Sequence, residues 1–133
     1  MLLNFIAACD TLGSFAGDFD DQMKYLREML ELSLKFVERR DDFMTRDTLT
    51  QSYFKAIDVS LTYKNYDDAL ELAKKAFDVC EKQCQTNPGE YTKKRMLMAV
   101  QLLGKALRKK HPFKWIIMSA KYIERSNEVL KDC

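Results

Sequence analysis

Three aromatic residues, Phe19, Tyr66 and Phe113, stand 47 residues apart, and each opens a stretch whose apolar positions share one helical face. A register that returns at a fixed interval restricts a chain to a row of like units, none of which can bury its apolar face without a neighbour. The middle stretch is the clearest. Ala69, Ala73 and Ala76 follow Tyr66 at three, seven and ten residues, so small side chains line one face and let a second helix come close. At the same offsets from Phe19 stand Gln22, Leu26 and Met29, and from Phe113 stand Ile116, Ala120 and Ile123.

Between these stretches the chain has little punctuation. Four Gly and two Pro in 133 residues suit long helices and not a many-stranded sheet. Periodicity predicts helices over 2–15, 19–37, 47–63, 66–85, 91–109 and 113–130. Leu3, Ile6, Ala7 and Leu12 are the inward candidates of the first. Leu49, Tyr53, Ala56, Ile57 and Ser60 form the inward stripe of the third, and Met96, Val100, Leu103 and Leu107 that of the fifth. Asp18, Asp20 and Asp21 crowd the start of the second helix, where the positive end of its dipole favours them. Thr86-Asn87-Pro88-Gly89 is the strongest stop, and Pro112 suits the first position of the last helix. The expectation is one all-α domain of three antiparallel helix pairs, at about 1–43, 44–90 and 91–133.

The run from Lys64 to Ala76 resembles the second helix of a tetratricopeptide (TPR) repeat, with its Gly-x-Tyr-x-x-Ala-x-x-x-aromatic-x-x-Ala pattern. Leu103-Gly104, shortly before Phe113, is similar to the Leu-Gly of that family's first helix. Ala56-Ile57 and Cys9-Asp10 stand at the matching places of the other pairs and depart from it. An interval of 47 exceeds the family's usual period of about 34, and Pro88, late after Tyr66, implies helices about two turns longer than usual. HEAT and armadillo repeats have periods of about 40–47. The Gly-Asp-Phe and Asn-Tyr-Asp-Asp-Ala junctions favour the TPR resemblance over them. That resemblance implies a right-handed α-solenoid whose first helices line a concave wall.

Carried onto this chain by the 47-residue offset, the family's groove positions fall on Asn4, Ala7, Thr11 and Ser14 in the first pair. They fall on Gln51, Phe54, Asp58 and Leu61 in the second, and on Met98, Gln101, Lys105 and Arg108 in the third, with Lys94 and Lys109 beside them. Positions 94, 98, 101, 105 and 108 step by four and three, which places them along one stripe of a helix. Such a groove implies a non-catalytic scaffold that binds a peptide or helical segment of a protein partner. Phe54, Leu61 and Met98 would make apolar contacts, and Lys105 and Arg108 would meet carboxylates. Asp58 stands where the family's clamp for chaperone tails needs a neutral or basic side chain, so chaperone binding is not expected.

Charge is uneven along the chain. Residues 1–43 carry a net −4, residues 44–90 a net −2 and residues 91–133 a net +8. The last third offers an alternative: phosphate or an acidic surface met by Lys93-Lys94-Arg95, Arg108-Lys109-Lys110, Lys114 and Lys121, with Trp115 or Tyr122 stacking on bases. A protein partner is favoured over nucleic acid because the repeat assigns those aromatics to packing. No Gly-rich phosphate loop, nucleophile elbow or metal-ligand constellation is present, so no enzyme class, cofactor or metal is expected. His111, beside Pro112, reads as a helix-start residue. Cys9, Cys80, Cys84 and Cys133 read as reduced thiols, which places the protein in the cytoplasm, with the nucleus as the other reducing site. No apolar run is long enough to span a bilayer. The terminal helices lack polar caps, and the expectation is either a piece of a longer array or self-association through Ile116, Ile117, Ile123 or the first helix.

Overall fold

The computed structural model describes residues 19–133. They form five α-helices: α1 (Phe19–Arg39), α2 (Phe43–Thr62), α3 (Tyr66–Thr86), α4 (Glu90–Lys110) and α5 (Trp115–Leu130). Among the described residues there is no strand, and the fold is all-α. The helix expected over 2–15, its inward candidates and the groove positions Asn4, Ala7, Thr11 and Ser14 lie outside the described residues.

Each helix packs chiefly on its neighbours in sequence. In addition α2 meets α4, and α3 meets α5, whereas α1 reaches neither α4 nor α5. The core follows that order as one strip: Met23, Leu26 and Leu30 of α1, Leu49, Tyr53 and Ile57 of α2, Ala73 and Phe77 of α3, and Met96, Leu103 and Leu107 of α4. The stripes predicted for α2 and α4 are buried as expected, apart from Val100, which is half-buried. On α1 the inward row passes from Leu30 to Ser33, and Leu34 is left 42% exposed. Ser33 Oγ lies 3.0 Å from Ser52 Oγ, and each hydroxyl also donates to the carbonyl four residues earlier on its own helix. Two small, locally satisfied side chains thus let α1 and α2 approach closely.

Local chemistry sets the boundaries. α2 begins at Phe43, four residues before the predicted start, because Asp42 and Thr45 form a capping box. The Thr45 amide donates to Asp42 Oδ1 at 3.0 Å, and the Asp42 amide donates to Thr45 Oγ1 at 3.1 Å. The amide bond to Thr45, together with nearby Arg40, holds the Asp42 carboxyl below its ordinary range. Between α2 and α3, Lys64 takes φ 61, the left-handed turn for which the TPR pattern has glycine. Tyr66 therefore enters α3 at once. The α4–α5 junction differs. His111 is extended at φ −129 and caps α4, its amide donating to the Leu107 carbonyl at 2.7 Å. Pro112, Phe113 and Lys114 form a turn, so α5 starts two residues later than predicted and His111 ends one helix instead of starting another.

Candidate functional site

The N-terminal ends of α2 and α4 are tied side by side. The Tyr91 hydroxyl donates to Asp47 Oδ2 at 2.7 Å, Arg95 pairs with Asp47 at 3.3 Å, and the Tyr91 ring stands edge-on to Phe43 at 5.7 Å. Gln51, one turn along α2, also donates to Asp47, at 2.9 Å. From this seam both helices present the residues that the repeat offset selects. Gln51 and Asp58 are exposed, and Phe54 and Leu61 half-buried. On α4, Lys94, Met98, Gln101, Lys105, Arg108 and Lys109 are all exposed, with Leu97 beside them. Gly104, of the Leu103-Gly104 pair, has open space where a Cβ would stand.

The cations of α4 divide into two sets. Arg95 pairs with Asp47 and Lys110 with Asp67, while Lys93, Lys94, Lys105, Arg108 and Lys109 make no ion pair among the described residues. Unpaired cations along an exposed stripe, interleaved with Met98 and Gln101, can meet carboxylates of a chain laid against them.

Two polar clusters were not foreseen from the sequence. At one end of the α2–α3 pair, buried Gln83 donates to the Phe43 carbonyl at 3.2 Å and accepts from Arg46 Nε at 2.6 Å. Arg46 also pairs with Asp41 at 2.6 Å and donates to Asn87 at 3.2 Å. Its hydrogen bond, with that of Lys82, holds the Asp41 carboxyl below the usual range. On the other side Arg125 of α5 pairs with Glu81 at 2.8 Å and Asp78 at 3.2 Å, and its guanidinium lies over the Phe77 ring at 4.9 Å. Phe77 meets Tyr122 edge-on at 5.2 Å. The signal for this latch lay in the sequence: Asp78 and Arg125 are 47 apart, opposite charges on one repeat position.

The buried thiols of Cys80 and Cys84 are chemically quiet. Burial pushes Cys80 up to about 12, and burial, reinforced by a hydrogen bond with Cys133, does the same to Cys84. Both stay protonated and unreactive at neutral pH. Among the described residues no group of three His, Cys, Asp or Glu side chains is arranged to hold a metal ion. No described helix is long and apolar enough to cross a membrane.

The outer side of α5 is open. Phe113 is 97% exposed, Ile117 80% and Ile116 67%. A groove of about 750 Å³ runs along one flank, floored by Trp115, Ile116, Ala120 and Ile123 and edged by Glu124 and Glu128. Neither a protein-family model, nor a curated protein, nor a solved structure matches this chain.

Proposed function

We propose that the chain is a right-handed, TPR-like α-solenoid and acts as a non-catalytic scaffold, holding an acidic peptide or helical segment of a partner protein along α2 and α4. The observation that carries this reading is the stripe Lys94, Met98, Gln101, Lys105 and Arg108, exposed on a helix that abuts α2. Two further features support it. Helices that meet mainly their sequence neighbours, with α2 on α4 and α3 on α5, have the contact order of stacked hairpins. Residues 91–123 contain nine Lys or Arg and no Asp or Glu, so a partner laid there meets one sign of charge. Phe54, Leu61 and Met98 supply the apolar contacts, and Gln51, Asp58 and Gln101 the polar ones. Quiet, reduced thiols suit the cytoplasm or nucleus.

An array of acidic amphipathic peptides, read by fluorescence anisotropy, tests the proposal. Binders should lose about tenfold or more in affinity to the Lys105→Glu/Arg108→Glu chain, since two charge-assisted contacts are reversed. Loss on Phe54→Ala, with helicity unchanged, places the peptide on α2 as well. Binders indifferent to both variants, or an array without binders, would overturn it.

A further inference from the structure

The open side of α5 has a composition that changes along its length. Its outward row begins with Phe113, Ile116, Ile117, Ala120 and Ile123 and ends with Glu124, Asn127, Glu128 and Lys131, all exposed. The matching row of α3, which lies between helices, is apolar but for one carboxylate. Ala69, Leu70, Ala73, Ala76, Phe77, Cys80 and Cys84 are all buried, and half-buried Glu81, at the place of Glu128, is paired with Arg125. The apolar part of this outward row is confined to the turn before α5 and its first two and a half turns.

Exposed cations flank that apolar tip in the sequence. Arg108, Lys109 and Lys110 end α4, Lys114 caps α5, and Lys121 stands two turns on; all five are exposed. Around them, Lys110 is paired with Asp67, and Lys121 lies over the Tyr122 ring at 5.0 Å. No acidic residue lies between Glu90 and Glu124 in the sequence. Large aliphatic and aromatic side chains exposed at the start of α5, with lysines interspersed among them in the sequence, match an anionic bilayer: the apolar groups enter the acyl boundary while the lysines reach the headgroups. Phosphate contact alone would account for the lysines but leaves Ile116 and Ile117 in water. A helix would leave those lysines idle and would need a cation of its own over Glu124 and Glu128, as α5 supplies Arg125 to Glu81.

We propose that the α4–α5 corner is a membrane-surface wedge, in which Phe113, Ile116 and Ile117 insert into an anionic phospholipid leaflet and Lys114 and Lys121 bind its headgroups. Phe113, Lys114, Ile116, Ile117 and Lys121 lie outside the α2–α4 stripe, which the wedge meets at Arg108 and Lys109.

The chain carries its own reporter, since Trp115 is its sole tryptophan and adjoins the tip. The full chain is mixed with vesicles of phosphatidylcholine alone, or of phosphatidylcholine with a minority of phosphatidylserine. Sedimentation and quenching of Trp115 by brominated acyl chains are then read. The expected result is binding to the anionic vesicles only, weakened by salt, with quenching. Phe113→Ser/Ile117→Ser and, separately, Lys114→Glu/Lys121→Glu should each reduce partitioning by about tenfold. Circular dichroism should stay unchanged, because these side chains are exposed. No sedimentation at low salt overturns the proposal, as does equal binding to neutral vesicles. Binding that Phe113→Ser/Ile117→Ser leaves intact would be adsorption by charge alone and also overturns it. So does a chain that dimerises through the tip, becomes monomeric in that variant and ignores vesicles, or one that an oligonucleotide displaces from vesicles without regard to Phe113.

Discussion

α3 and α5 begin with stretches whose aromatic residues, Tyr66 and Phe113, stand 47 residues apart, and the two helices live in opposite surroundings. On α3, Ala69, Ala73 and Ala76 are fully buried between helices; on α5 their counterparts Ile116 and Ile123 are 67% and 46% exposed. Further along, buried Phe77, Cys80 and Cys84 become exposed Glu124, Asn127 and Lys131. α5 buries a different side, through Ser119, Tyr122 and Ser126. A shared register therefore says which residues are equivalent and leaves open which face is covered, because burial depends on the helices on either side. The two helices make a natural experiment, in which one substitution can be placed at paired sites.

The largest contrast is at Phe77 and Glu124. Phe77→Ala removes a fully buried ring that contacts Tyr122 and lies beneath Arg125, and should cost about 3–5 kcal/mol. Glu124→Ala, on the exposed row, should change stability by less than about 0.5 kcal/mol. Urea unfolding of both variants measures the difference. Similar costs would mean that α5 is covered as α3 is.

Ala73→Leu and Ala120→Leu follow. The added branch has no room at Ala73, which is fully buried, and overpacking there should cost about 1–3 kcal/mol. Ala120 is exposed and should tolerate leucine to within about 0.5 kcal/mol. Unfolding midpoints at constant slope separate the two.

These pairs also mark what could be read in advance. Long-period helices were legible because apolar positions repeat every three or four residues over four turns or more, with few Gly or Pro to interrupt them. All five described helices stand where that pattern put them. What escaped was short-range and polar. Thr45 acts as the third residue of a capping box usually closed by Glu or Gln, so α2 was placed four residues late. Gln83 occupies an apolar-register site because Arg46 and the Phe43 carbonyl satisfy it, a pairing about 40 residues distant in sequence. For the candidate stripe, periodicity foretold that Lys94, Gln101 and Lys105 face water. What lies against them has no trace in one chain's periodicity.

The latch between the two helices comes next in size. Arg125→Ala deletes the pairs with Glu81 and Asp78 and the contact over Phe77. With the guanidinium partly exposed, the loss should be about 1 kcal/mol. Amide hydrogen exchange should show the effect concentrated in α5, which has a neighbour on one side only, with α3 little changed. A uniform loss across both helices would mean that they unfold as one unit.

The smallest effect tests the turns that launch the two helices. Lys64 holds φ 61, where a side chain with a Cβ is strained by about 1–2 kcal/mol, and Lys64 makes no ion pair among the described residues. Glycine removes that strain but brings a more flexible unfolded chain, costing about 0.5–1 kcal/mol. Lys64→Gly should therefore stabilise by about 0.5 kcal/mol. His111, 47 residues on, is extended at φ −129, with no strain to relieve. His111→Gly keeps only the flexibility penalty and should destabilise by about 0.5–1 kcal/mol. Thermal or urea unfolding of the two variants should move in opposite directions. Shifts of the same sign would mean that the α2–α3 and α4–α5 junctions turn alike, and that the late start of α5 has a cause other than its turn.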